Sequence, residues 1–252
     1  MNTKRIWEIN SYIQQKGEVH LSELVALFPD FSAMTIRRDI DYLEQQGFVV
    51  RTRGGAKSIS HLTRLKEDVF VKRELENRGA KEIIAKKALS FLEGGRSFFL
   101  DSGTTLLNLA ALVPENCGVL ITAGPNIAVE LCRHGQQNVS VLGGSVNTEN
   151  LSISGASALE QLRNVNIDVA FMATSGFTIE AGFSVGNINE AQLKRLVITR
   201  AQRVVMLMDH SKLENRLPYS FANFVDVNAL ITEDLPPPKI IEAARQAGTE
   251  LI

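Results

Sequence analysis

The chain has 252 residues, 44% of them hydrophobic and 22% charged, with a formal net charge of −1. That is the size of one large domain, or of a small domain beside a larger one. The composition is ordinary for a globular protein, no apolar run approaches the roughly 18 residues of a membrane span, and near-neutral charge does not by itself announce a nucleic-acid partner. The N-terminal residues carry no apolar stretch behind their charges, so a signal peptide is not expected and the location expected is cytoplasmic. Cys117 and Cys132 are the only cysteines; they read as reduced, buried thiols, and no metal-ligand spacing involves them.

A first helix is expected over about residues 3 to 15, burying Ile6, Ile9 and Ile13, with Trp7 at the edge of the core and Gly17 at the end. A second runs over about 21 to 28 and buries Leu21, Leu24, Val25 and Phe28. The turn Pro29-Asp30-Phe31 leads into a third helix, which Ser32 is placed to cap. Ile36, Ile40 and Leu43 fall within about 40° of one another at about 100° per residue, making a narrow apolar stripe. Arg38 lies opposite that stripe, Thr35 flanks it and Arg37 sits on a shoulder; Asp39, near its edge, is placed to hold Arg37 or a helix-1 group. Gly47 stops the helix, Phe48-Val49-Val50 reads as a strand, and Arg51, Thr52 and Arg53 lead into a Gly54-Gly55 turn. A helix with one buried face and Thr and Arg on the other suits a major groove, and a basic hairpin beside it suits phosphates or the minor groove. Positive charge is local: residues 48–73 carry seven Lys and Arg against two acids.

Thr35-Ile36-Arg37-Arg38-Asp39-Ile40, Leu43-Glu44, Gly47, Arg51 and Gly54-Gly55-Ala56 together resemble the winged helix-turn-helix of the DeoR family of bacterial transcriptional regulators. The turn before the third helix is one residue longer than the commonest family version. The resemblance implies a double-stranded DNA operator as partner, with base reading by Thr35, Arg37 and above all Arg38, and phosphate positioning by Ser32, Arg51, Arg53 and Lys57. It also implies a second, effector-sensing domain.

Beyond residue 58 the pattern weakens. Residues 1–58 are assigned to the DNA-binding domain, 59–76 to a linker and 77–252 to the second domain; His61 reads as solvated. Helices are expected near 80–92, 104–112, 126–133, 156–163, 190–201 and 239–247. Short apolar strands are expected near 97–100, 119–122, 139–142, 168–172, 203–208, 229–232 and 249–252, with a loop after Gly143-Gly144. Strands alternating with helices indicate an open, largely parallel α/β sheet, whose ligands bind beyond the carboxyl ends of the strands.

Asp101-Ser102-Gly103-Thr104-Thr105 stands between one such strand and helix. Gly103 allows close backbone approach, three hydroxyls are on offer, and the free N–H groups of a helix start favour a phosphate. An ordinary polar turn is the plain alternative. This segment resembles the hallmark of the DeoR effector domain, which is similar in fold to ribose-5-phosphate isomerase and CoA-transferase-like proteins; the resemblance implies a phosphorylated sugar held at this loop. Thr122, Gly143-Gly144, Gly155, Gly176, Glu190-Ala191, Lys194-Arg195 and Asp209-His210-Ser211-Lys212 follow in the family's order, with departures at Ala123-Gly124 and Ala173-Thr174-Ser175. The expected effector residues are therefore Asp101, Ser102, Gly103, Thr104, Thr105, Thr122, Gly143, Glu190, Lys194, Asp209 and Lys212. Glu190 and Lys194 share a helix face and in isolation read as a surface ion pair. If both groups converge on the Asp101 loop, lysines neutralise the phosphate and carboxylates accept sugar hydroxyls. His210 is read as neutral, with a pocket contact as the other possibility.

These features imply a regulator, most simply a repressor of a carbohydrate-utilisation operon controlled by a phosphosugar, without cofactor or metal, and acting as a homodimer or homotetramer. Two alternatives stand beside it. One is a sugar-phosphate isomerase with Glu190 or Asp101 as general base; the other is a DNA-binding protein whose larger domain only oligomerises.

Overall fold

The computed structural model describes residues 3–46, 48–52, 54–58 and 70–252. Gly47, Arg53, His61 and the first part of the expected linker lie outside the described residues. The chain divides into two compact units, Met1–Lys66 and Glu67–Ile252.

The N-terminal unit runs α1 (Thr3–Lys16), β1 (Glu18–His20), α2 (Leu21–Leu27), α3 (Ala33–Gln45), β2 (Val49–Thr52) and β3 (Gly55–Ser58). The strands form an antiparallel sheet in the order β1-β3-β2. Ile6, Ile9 and Ile13 of α1, Leu24 of α2, and Ile36, Ile40 and Leu43 of α3 meet Val19, Val49 and Ala56 in one core. Each of the Ile, Leu and Val side chains contributes about 1.5–3 kcal/mol by leaving water. The Ser32 hydroxyl caps α3, accepting the Thr35 backbone N–H at 3.2 Å. A buried ion pair joins α1 to α3: Arg5 donates to both carboxylate oxygens of Asp39, at 2.6 and 3.0 Å. The same guanidinium lies over the Phe31 ring, 4.1 Å from its centroid. Asp39 thus holds helix 1, one of the two partners expected of it. The wing glycine Gly55 is required by packing, since a Cβ there would fall 1.9 Å from the Val19 carbonyl oxygen. Trp7, expected in the core, is instead 45% exposed and packs edge-on against Phe48.

The C-terminal unit begins with α4 (Phe70–Leu75), α5 (Arg78–Ala88), β4 (Arg96–Leu100), α6 (Thr104–Ala110), β5 (Gly118–Thr122), α7 (Pro125–Arg133) and β6 (Val139–Val141). It continues with β7 (Ser145–Asn147), β8 (Ser152–Ser154), α8 (Ala156–Arg163), β9 (Ile167–Ala173), β10 (Gly176–Thr178), β11 (Gly182–Val185) and α9 (Ile188–Arg200). β12 (Ala201–Leu207), β13 (Tyr219–Ala222), β14 (Ala229–Ile231), α10 (Pro238–Ala247) and β15 (Glu250–Leu251) complete it. Among the described residues seven strands form a parallel sheet ordered β6-β5-β4-β9-β12-β14-β15.

Both faces of that sheet are buried, so its strands read as continuous apolar runs. Phe98, Leu100, Val169, Phe171, Val205 and Leu207 pack on one side with α5, α6 and α7. Phe99, Ala170, Met172, Val204 and Met206 pack on the other with α8, α9 and α10.

Two small antiparallel sheets differ from the sequence reading. The stretch after Gly144, read as a loop, contains the antiparallel pair β7–β8. A separate antiparallel sheet, β10-β11-β13, was not expected either. Its strands are three or four residues long, too short to show a period. What holds them is a cluster of Phe177, Phe183, Phe221 and Phe224, with ring centroids 4.7 to 6.4 Å apart. Cys117 is buried as expected, but Cys132 is exposed.

Candidate effector pocket and nucleic-acid interface

The sheet order reverses between β4 and β9: from β4 the chain moves outward through β5 to β6, then returns to β9 and continues through β12. At such a point the connections leave in opposite directions and open a crevice at the carboxyl ends of the strands. Asp101 follows β4, Thr174 follows β9 and Asp209 lies just beyond β12, so three neighbouring strands deliver their polar ends to one place.

Two small adjoining cavities occupy it. Arg73, Lys81, Gly103, Thr104, Thr105, Asp209 and Lys212 line the first. Arg73, Ser102, Gly103, Asn150, Thr174, Ser175, Glu190 and Lys194 line the second. The first lobe has three cations against one carboxylate. That carboxylate, Asp209, accepts the Ser211 backbone N–H at 3.0 Å, the Ser211 hydroxyl, and Asn77 Nδ2 at 3.3 Å. Gly103, shared by both lobes, has φ +122°, a conformation that glycine alone adopts freely.

Lys81 is 2% exposed. Its ammonium donates to the carbonyls of Arg73 and of Glu76, the latter at 2.6 Å. Burial, with Lys212 and Arg73 opposing the nearby Asp209, pulls its pKa down from 10.5 to about 8.

Behind the second lobe lies a buried charge network. Lys194 Nζ donates to Asp101 Oδ2 and to the Ala173 carbonyl at 3.0 Å, and it pairs with Glu190 Oε1 at 3.2 Å. Asp101 also accepts backbone N–H groups from Ser102 at 2.8 Å and Ala173 at 3.0 Å. Glu190 Oε2 accepts Asn150 Nδ2 at 2.8 Å. The Glu190–Lys194 pair is thus a buried structural pair, 5% and 2% exposed, and not the surface pair its spacing alone suggests. Asp101 does not border either cavity; its carboxylate ties the end of β4 to the end of β9.

Of the expected effector residues, Ser102, Gly103, Thr104, Thr105, Glu190, Lys194, Asp209 and Lys212 converge. Thr122 and Gly143 do not line the cavities. The Thr122 hydroxyl is fully buried and accepts the Gly124 N–H at 2.9 Å, and the Gly143 N–H donates to Gln161 at 2.9 Å. His210 faces Glu233, with Nδ1 3.3 Å from Oε1. Arg73 and Lys81, which stand in the segment that resembles the family's opening of the effector domain, and Asn150 are not among the expected effector residues. Lys81 carried a signal: it stands in the apolar stripe Lys81, Ile84, Ala85, Ala88 of α5, where a solvated lysine has no place.

On the N-terminal unit Arg37 and Arg38 are exposed on α3, and neither has an ion pair among the described residues. Thr35 is half-buried, its hydroxyl 3.0 Å from that of Ser32. Arg51 meets Asp41 at 2.6 Å, and Lys57 meets Glu18 at 3.1 Å across the β1–β3 pair. Such exposed pairs are worth about 0–1 kcal/mol, so a phosphate can displace the carboxylates. Arg53 lies outside the described residues. Among the described residues no cluster of His, Cys, Asp and Glu could hold a metal, and no helix is long and apolar enough to cross a membrane.

Residues 5–61 match the DeoR-like helix-turn-helix domain, and residues 76–234 match the DeoR C terminal sensor domain. The chain is 30% identical to the transcriptional regulator GlpR of Haloferax volcanii, over 88% of this chain and 86% of that protein. It is 30% identical to the regulator GolR of Listeria innocua, over 94% and 92%. It is 29% identical to the transcriptional repressor GlcR of Bacillus subtilis, over 99% and 95%. Ribose 5-phosphate isomerase A of Methanocaldococcus jannaschii overlays 56% of each chain at 15% identity with a TM-score of 0.40. A winged helix-turn-helix with exposed arginines on its third helix, the switch-point pocket and both domain matches lead to one assignment: the chain belongs to the DeoR family of transcriptional regulators.

Proposed function

We propose that this regulator is a repressor of a carbohydrate-utilisation operon, released from its operator by a phosphorylated sugar or polyol. The observation that carries the effector class is the first lobe: Arg73, Lys81 and Lys212 surround the Thr104 and Thr105 hydroxyls, with the backbone bare at Gly103. Cations with hydroxyls and an open backbone suit a phosphate. The adjoining lobe offers Asn150, Glu190, Ser102 and Ser175 to hydroxyl groups. Arg38 reads a guanine, Thr35 and Arg37 contact neighbouring bases, and Ser32, Arg51, Arg53 and Lys57 position phosphates. Effector and operator favour different states of the protein, so each weakens the other by the same coupling free energy, about 1–3 kcal/mol. Operator half-sites call for a homodimer or homotetramer, working in the cytoplasm.

The isomerase alternative needs Asp101 or Glu190 as a free base; both carboxylates are engaged by Lys194, which favours the regulator. The test is a melting-temperature screen against phosphorylated sugars and polyols, with their unphosphorylated forms as controls. A compound at about 100 times its Kd adds about 2.7 kcal/mol, and the same compound is expected to release bound operator in a gel-shift assay. A panel in which only unphosphorylated compounds shift the melt contradicts the reading.

A further inference from the structure

α4 is the first described element that follows β3 in the chain, with residues 59–69 between them. It is fastened at both ends. At its start Phe70 is 6% exposed, and its N–H donates to the Glu149 carbonyl at 2.7 Å. At its finish the Lys81 ammonium donates to the carbonyls of Arg73 and Glu76, groups that a helix end leaves without partners of its own. Both fastenings lead to the pocket. Glu149 precedes Asn150, which borders the second lobe and donates to Glu190. Lys81 borders the first lobe, and Arg73, on α4 itself, borders both. An ammonium has three N–H groups. Two of those on Lys81 go to α4 and the residue just after it, so an anion in the first lobe and the end of α4 share one cation.

We propose that α4 transmits effector occupancy to the DNA-binding unit: an anion that engages Arg73 and Lys81 resets the hold on α4, and with it the chain leading to the helix-turn-helix. This rests on the anion-site reading of the first lobe. The fastening at the start of α4 is built from residues that only the tertiary structure brings together, since residues 70, 149 and 190 are far apart in the chain.

The test is hydrogen exchange on the full chain, with inorganic phosphate against chloride at equal ionic strength. Slower exchange is expected at amides 71–76 together with amides 102–105. Slowing at 102–105 alone overturns the transmission proposal and leaves the anion site standing; no change at either segment overturns both. A second measurement uses Phe70→Ala, which lies outside the pocket lining. With a duplex selected by the wild-type chain from a random pool, phosphate is expected to weaken wild-type binding by at least about five-fold and the variant's by under about two-fold. Phosphate should still protect amides 102–105 in that variant. A variant that keeps the full wild-type response overturns the proposal; if it fails to fold, the exchange pattern of the wild-type chain decides.

Discussion

Lys194 is the strongest test of how the effector crevice is held open. Its ammonium is 2% exposed and stands between two buried carboxylates, Asp101 and Glu190, while also bonding the Ala173 carbonyl at 3.0 Å. Lys194→Met keeps the length of the side chain and removes the ammonium that the buried Asp101 and Glu190 carboxylates both face. Removing one partner of a buried pair costs about 3–5 kcal/mol, because the remaining charge is neither solvated nor paired. For a unit of this size 1 kcal/mol moves the melting temperature by about 2–4 °C, so the C-terminal unit should melt about 6–20 °C lower. Scanning calorimetry on the full chain reads this directly. Asp101→Asn in the same chain removes one of the stranded charges, so the double variant should recover at least about 1 kcal/mol relative to Lys194→Met. A single variant within about 1 kcal/mol of wild type, or a double variant no better than the single, refutes the account of the network as a structural tie between β4, β9 and α9.

Four further outcomes are expected. Lys81 has its pKa pulled down to about 8 by burial, and a bound phosphate favours the charged form. Phosphate affinity should therefore fall as the pH rises through about 8, above the range in which phosphate itself titrates, whereas Lys81→Met should bind more weakly and show no such fall, as read by calorimetric titration. By the same linkage the folded chain holds fewer protons on Lys81 than the unfolded chain between about 8 and 10.5, so this group's contribution to stability grows with pH across that window. Arg38→Ala should compress the affinity differences among operator variants by about 1–3 kcal/mol at one base position, whereas Lys57→Ala should weaken all variants alike and lower the salt slope by about 1; equal effects of the two in competition binding would sink the assignment of roles. Asp39→Ala leaves Arg5 buried without its carboxylate and should destabilise the N-terminal unit by about 3–5 kcal/mol in a thermal melt, with the C-terminal transition unmoved.

Local chemistry was enough to determine much of this protein. The stripe Ile36, Ile40, Leu43 and the cap Ser32 lie within one helix, so their period and spacing are complete in the sequence, and the structure has them buried and bonded as that period requires. The parallel strands are equally legible, because a strand buried on both faces is a continuous apolar run. The small sheet β10-β11-β13 was not legible: its strands are short, and what joins them is four phenylalanines from three separate segments. The pocket divides in the same way. Ser102, Gly103, Thr104 and Thr105 announce themselves in one turn, but Glu190–Lys194 looks like a surface pair until β9 and β4 lie side by side and bury it against Asp101. Thr122 and Gly143 look like pocket residues by position and are turned to local bonds instead. Helical and strand periods are short-range properties that a sequence carries whole. Which charges are buried, and against which partners, depends on strand order, and strand order exists only once distant segments have packed.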